Sequence, residues 1–287
     1  MYVVHSIRSL RAAQKLGWWA CLATAGLGVS STAMAQDEPN LLTDPFRIAV
    51  GTYIVSSEPT VQLNGETVRG DRVDFDKVLG GGDATRVRLD ADWRFGDTQR
   101  HKLRALAFAV SRDRTETIDE EIEWGGDTYP VNAELKAEFK FSIIELAYEY
   151  AFLKTDTYEV GGSIGLHYAG LEASLKAERT STGETLNLSN EASVDVPLPV
   201  IGGRGLWKLP NNFYVDAQAQ FFALSIDEYD GSVQDYRLML TWQPKPWLGL
   251  GLGYNSFKVD VDVDKDNFNG SLDWTYDGPM IFYSASF

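Results

Sequence analysis

Residues 131–152 read VNAELKAEFKFSIIELAYEYAF, and the fold turns on how this stretch is read. Its apolar positions recur every second residue, which is the side-chain repeat of an extended strand and not the 3.6-residue repeat of a helix. The repeat outlasts the 5 or 6 residues of a usual soluble strand several times over. Part way along, the two faces exchange character. Even positions begin Asn132, Glu134, Lys136, Glu138, Lys140 and continue Ile144, Leu146, Tyr148, Tyr150, Phe152. Odd positions begin Leu135, Phe139, Phe141, Ile143 and continue Glu145, Glu149. A register slip explains one such inversion.

Three further stretches repeat it, so the cause is shared. Tyr158, Val160, Ile164, Leu166 and Tyr168 are in phase with Glu172, Lys176 and Glu178, while Leu171 and Leu175 take the other face. Leu248, Leu250, Leu252 and Tyr254 are followed in phase by Lys258, Asp260, Asp262 and Asp264, against Phe257, Val259, Val261 and Val263. Ile281, Tyr283 and Phe287 are in phase with Asp273 and Asp277, against Leu272, Trp274 and Tyr276. Each switch falls about 8 to 13 residues from a short turn, close to the 9 to 11 residues with which a tilted strand crosses a bilayer. The economical explanation is a barrel taller than the membrane. Its outside is apolar against lipid and polar in water, and its inside is polar below and apolar above.

Working outward, period two covers the chain in ten strands, with twelve as the alternative count: Pro45 to Asn64, Asp71 to Phe95, His101 to Thr117, Val131 to Phe152, Tyr158 to Arg179, Ala192 to Leu209, Phe213 to Asp227, Ser232 to Gln243, Leu248 to Asp264 and Asn269 to Phe287. Turns at Gly96 to Arg100, Lys154 to Thr157, Pro210 to Asn212 and Pro244 to Trp247 are tight, whereas Glu116 to Pro130 and Thr180 to Glu191 read as long polar loops. Tight turns at one end and long loops at the other are the plan of an all-β, antiparallel transmembrane barrel with an extracellular extension, spanning residues 45–287.

Residues 1–35 hold no Asp or Glu, three basic residues (Arg8, Arg11, Lys15), an apolar run from Leu16 to Val29, and Ala33-Met34-Ala35. That is the order of a cleavable signal peptide, followed by a short N-terminal segment at 36–44. The apolar run falls short of a membrane-spanning helix. Cleavage removes the three basic residues, taking the formal charge from −15 to −18, and removes Cys21, the one cysteine. An exported chain without disulfides depends on its ladder and core. Such acidity is not that of a nucleic-acid reader.

The last strand adds an independent signal. Ile281, Tyr283, Ala285 and Phe287 share one face and the sequence stops at Phe287, which resembles the C-terminal targeting strand of Gram-negative outer-membrane barrel proteins. The resemblance covers the signal segment, the strand plan and this terminus. It implies location in the bacterial outer membrane, contact with its lipid and lipopolysaccharide, and recognition of Ile281, Tyr283 and Phe287 by the barrel assembly machinery. It names a class of protein and no activity.

Two clusters are expected inside. Below the switch, Arg86, Arg88, Asp90, Asp92, Arg94, Arg104, Glu145, Glu149, Arg204, Asp216, Asp235 and Arg237 face the lumen, where burial demands mutual pairing or water. Ten strands leave little room, so ion pairs are expected to occlude it. Above the switch, Leu135, Phe139, Phe141, Leu171, Leu175, Phe222, Leu224, Ile226, Phe257, Val259, Trp274 and Tyr276 form an apolar vestibule. It is either filled as a core or open to a lipophilic small molecule. Gly161, Gly165, Gly249, Gly251 and Gly253 are expected to make room for side chains from the opposite wall or a thread of water.

Catalytic signals are weak. Ser163, His167 and Glu159 share a face, but spacing along one strand does not bring a nucleophile to a base. His167 is followed by Tyr168 and Ala169, not by the His-x-Ser pair of outer-membrane lipid deacylases, and the Asp-His couple of the omptin-type proteases is missing from the outer rim. Asp260, Asp262, Asp264 and Asp266 imitate a calcium loop, but Asn267 stands where glycine is required. Gly80-Gly81-Gly82-Asp83 has no following Lys-Ser/Thr and reads as a bend. Neither enzymatic activity nor a cofactor or metal is expected. The remaining alternatives are a water-filled general porin and a lipid-modifying enzyme. Pro197 and Pro199 have no account at this level.

Overall fold

The computed structural model describes residues 40–64, 69–75, 84–181, 184–226, 229–265 and 268–287. In chain order its strands are β1 (Phe46–Leu63), β2 (Arg72–Asp74), β3 (Ala84–Phe95), β4 (His101–Thr117), β5 (Ile122–Trp124), β6 (Asp127–Tyr129), β7 (Glu134–Lys154), β8 (Tyr158–Ser181), β9 (Glu184–Leu209), β10 (Phe213–Ile226), β11 (Tyr229–Lys245), β12 (Leu248–Lys265) and β13 (Phe268–Ser286). Ten of them, all but β2, β5 and β6, pair antiparallel in sequence order, and β13 returns to β1. That closing ladder runs from Arg47↔Ser286 to Leu63↔Gly270. Phe46 and Phe287 then exchange backbone hydrogen bonds of 3.2 and 2.8 Å at the lower end, where the short turns lie. Closure pairs the first strand with the last, so neither presents a free outer edge to another chain.

The inverted faces are a matter of chemistry and not of register. Along β7 burial alternates without a break, with the odd side chains inside from Leu135 to Ala151 and the even ones outside from Glu134 to Phe152. The irregularity in its ladder to β8 falls below this, between Ala151 and Leu153. Ile144, Leu146, Ile164, Leu166, Leu252 and Tyr283 are all 45 to 64% exposed on the outer wall. Soluble monomers rarely expose so wide a continuous apolar belt, which is the feature a membrane-crossing barrel requires.

Three expectations are corrected. Asp71 to Phe95 is not one strand: β2 pairs with the top of β1, and β3 pairs lower down. The glycines and aspartate at 80–83 lie outside the described residues. The stretch Glu116 to Pro130 is not simply a polar loop, because β5 and β6 form a hairpin across Gly125 and Gly126, both at positive φ, as a two-residue turn demands. Finally, β9 begins at Glu184, not Ala192, so most of Thr180 to Glu191 belongs to the β8–β9 ladder, which reaches Ser181↔Glu184.

Candidate functional site

Alternation sends every second residue of each strand inward, so the lower lumen receives charges from all sides at once. Arg94 donates to Glu159 through two nitrogens at 2.7 and 3.1 Å, and Lys102 joins Glu159 (2.6 Å) to Glu149 (3.0 Å). Arg104 spans Glu149 (3.1 Å) and Glu145 (3.2 Å), and Arg204 grips Asp216 while lying 3.6 Å from Glu149. Higher up, Arg88 donates to Asp90, to the Tyr53 hydroxyl (2.7 Å) and to Asn255 Oδ1 (3.0 Å). Arg237 reaches Asp90 at 2.9 Å and Gln218 at 2.7 Å, and Asn255 donates to Asp235 at 2.6 Å. Arg47 lies 3.6 Å from Asp92.

Among the described residues, seven inward cations (Arg47, Arg88, Arg94, Lys102, Arg104, Arg204, Arg237) thus share the lumen with seven anions (Asp90, Asp92, Glu145, Glu149, Glu159, Asp216, Asp235), Asp235 being held by the Asn255 amide. A buried charge is tolerable when paired and further hydrogen-bonded, and the equality of the two sets is how so many can share one narrow space. Among the described residues the network encloses voids of about 20 Å³, one beside Arg47, Asp92 and Arg104 and one beside Arg94, Lys102 and Arg204. Each holds roughly one water. His167 is buried with Nε2 3.2 Å from Glu145, and Glu159 is engaged by Arg94 and Lys102.

The lower mouth carries a second closure. Asn40 turns the chain, its Oδ1 accepting from the Leu42 amide, and Leu41 and Leu42 are buried with Leu206 and Tyr214. Lys154 Nζ caps the Leu42 carbonyl at 2.9 Å. Asp44, just before β1, is buried enough to raise its carboxyl pKa, with hydrogen bonds from Gln243 and Ser286 and the charges of Arg94 and Arg47 opposing.

Above the charges the lining becomes hydrocarbon. Leu135, Phe139, Phe141, Leu171, Leu175, Phe257, Val259, Trp274 and Tyr276 are all 3% exposed or less, and Phe222 packs against them half-buried. Phe141 and Trp274 meet at 4.0 Å between ring centroids, and Tyr276 stacks between Phe257 (5.1 Å) and Phe108 (5.2 Å). Phe75 packs on Phe139 from above and Trp124 packs on Phe75, and Tyr129 donates to the Leu175 carbonyl at 3.0 Å. These side chains fill the upper barrel as a core. The side chains of Arg86, Leu224 and Ile226, assigned to the two clusters from sequence, lie outside the described residues.

Sequence reasoning missed Lys102, Arg47, Tyr53 and Asn255, although their inward parity was readable. It also missed the Ile122, Trp124 and Tyr129 lid, for which the Gly125-Gly126 pair between alternating apolar residues was the available signal. The glycines do not accommodate the opposite wall. A Cβ on Gly251 would lie 2.0 Å from the Phe282 ring, and one on Gly249 would lie 2.3 Å from Ser284 Oγ, so the adjacent strand β13 takes the space. Ile281, Tyr283 and Phe287 all point outward, 52 to 64% exposed. Asp260 and Asp262 lie along the outer wall, Asp266 is outside the described residues, and among those described no three His, Cys, Asp or Glu side chains converge as a metal site.

No family model and no curated protein matches the sequence. Among solved structures, the outer membrane protease OmpT from Escherichia coli aligns over 88% of this chain and 99% of its own, with a TM-score of 0.55 and 8% identity. Ail, the attachment invasion locus protein of Yersinia pestis, aligns over 84% and 99% with a TM-score of 0.35 and 10% identity. The Pseudomonas putida toluene transporter TodX aligns over 85% and 89% with a TM-score of 0.34 and 8% identity. At such identities the likeness is one of fold: a closed ten-stranded antiparallel barrel, of the kind found in outer-membrane proteins.

Proposed function

We propose that this protein is a non-enzymatic barrel of the bacterial outer membrane, sealed along its axis, that acts through its wall and its outer surface rather than through a central pore. Segment 1–35 directs export, and the face Ile281, Tyr283, Phe287 serves the assembly machinery. The short turns face the periplasm, and the polar upper wall stands among lipopolysaccharide. The observation that carries the reading is the ion-pair network that the described residues build across the lower lumen, with voids of about 20 Å³ beside it. The filled core above it supports a stabilised extension over an open vestibule for a small ligand. Liposomes containing the protein should not swell in isotonic arabinose. Swelling at a rate that rises with protein content would establish the porin alternative instead, and release of fatty acid from labelled lipopolysaccharide would establish the enzyme.

A further inference from the structure

The wall of the barrel is not zipped to the same height everywhere. β10 pairs with β11 along its full length, to Ile226↔Tyr229, but with β9 only from Phe213↔Leu209 to Phe221↔Ile201. The ladder therefore stops five residues before β10 does, leaving about 17 Å of β10 without its β9 partner. β9 itself continues to Glu184, laddered there with β8 and tied to the β5–β6 hairpin through the Asn190 amide, which donates to the Trp124 carbonyl at 3.1 Å and to Asp127 at 2.9 Å.

Pro197 and Pro199 sit just past that last pair. The Lys208 amide donates to the Thr157 carbonyl on the β8 side, so even-numbered residues of β9 direct their amides toward β8 and odd-numbered ones toward β10. Both prolines are odd. The donors they lack are those that would have pointed at the missing partner. An unpaired amide beside hydrocarbon is costly, and proline is the residue that removes it.

A groove of about 560 Å³ opens at this breach, within the range of small-molecule sites. Ile164, Ile201 and Phe221 from the outward apolar belt form its mouth, and Val200, Phe222 and Val233 form its floor. Its polar lining comes from β11, where Ser232 and Gln234 stand. The mouth is continuous with the lipid-facing belt at its upper limit, so what adjoins the groove is the hydrocarbon of the outer leaflet.

We propose that the breach between β9 and β10 is a lateral binding site for one acyl chain of an outer-leaflet lipid. It rests on the reading of the chain as an outer-membrane barrel. The groove is apolar and open sideways, so it selects a flexible hydrocarbon chain and holds its lipid against the wall, with Ser232 and Gln234 near the polar end.

The mature chain has no cysteine, so single ones can be introduced and given a small trifluoroethylthio label. Three positions suffice: Ser232→Cys in the groove, Leu252→Cys on the belt away from it and Ala173→Cys in the upper core, with Phe222→Cys as a second groove position should the first fail to fold. In dioleoylphosphatidylcholine nanodiscs doped with chain-nitroxide phosphatidylcholine, fluorine relaxation at the groove label should rise at least as much as at Leu252 and several-fold more than at Ala173. A groove label relaxed no more than Ala173, with Leu252 relaxed, would overturn the proposal and leave the membrane barrel standing. No relaxation at Leu252 would overturn the barrel reading itself. In Pro197→Thr/Pro199→Thr, restored donors should let the ladder extend and lower the groove signal while Leu252 keeps its own; an unchanged groove signal would overturn the assignment of the site to the unpaired edge.

Discussion

Neutralising Glu149 tests the ion-pair network where it is most tightly shared. Its carboxylate accepts from Lys102 at 3.0 Å and Arg104 at 3.1 Å and lies 3.6 Å from Arg204, and all four side chains are at most 6% exposed. Glu149→Gln keeps the shape and one acceptor oxygen but leaves an excess positive charge among three cations. Breaking one buried pair costs about 3 to 5 kcal/mol. The three contacts do not triple this, because Lys102 keeps Glu159, Arg104 keeps Glu145 and Arg204 keeps Asp216. The expected loss is therefore about 3 to 5 kcal/mol, read as a lowered urea midpoint of the barrel in lipid vesicles. Adding Lys102→Met removes the surplus cation, and the double variant should regain part of the loss, with a coupling of about 0.5 to 3 kcal/mol. A single variant that loses under about 1 kcal/mol, together with additive effects in the double, would refute the shared network.

Phe139→Ala and Phe257→Ala should each cost about 3 to 5 kcal/mol, since both rings are buried in a filled core; unchanged unfolding with lost retention of a hydrophobic dye would show an open vestibule. Gly251→Ala should cost about 1 to 3 kcal/mol of stability, read as a lowered urea midpoint, because its Cβ meets the Phe282 ring; an unchanged midpoint would show that the ring moves freely. For Asp44 the raised pKa means the folded state holds the proton more tightly. Its contribution to docking residues 40–44 is therefore full below the ordinary carboxylate pKa and is lost as pH rises through the raised value. Amide exchange at Leu42 should be slower at pH 4 than at pH 7 after correction for intrinsic rates, and Asp44→Asn should remove the difference.

Much of the fold was legible because period two survives a change of surroundings. Residues 131–152 keep Leu135, Phe141, Glu145 and Glu149 on one inner face whatever their polarity, so the inversion reports height along the barrel and the parity reports the wall. What escaped depends on who the neighbours are. The ion pairs join residues up to 147 positions apart, as Arg237 and Asp90 are, and strand parity cannot choose such partners. The descent of Trp124 and Tyr129 into the barrel is hidden because three-residue strands carry almost no periodic signal. Pro197 and Pro199 were opaque for the same reason: their meaning lies in where β10 lets go of β9, a property of the ladder and not of either strand.

The central claim, a barrel closed along its axis, is tested most directly by recording the purified wild-type protein in a planar phospholipid bilayer. The ion-pair network and the core above it require a silent record, without steady conductance steps, while insertion is verified separately by protease protection of the barrel. Stable, uniform steps that scale with bulk salt conductivity would show an aqueous path along the axis and contradict the account.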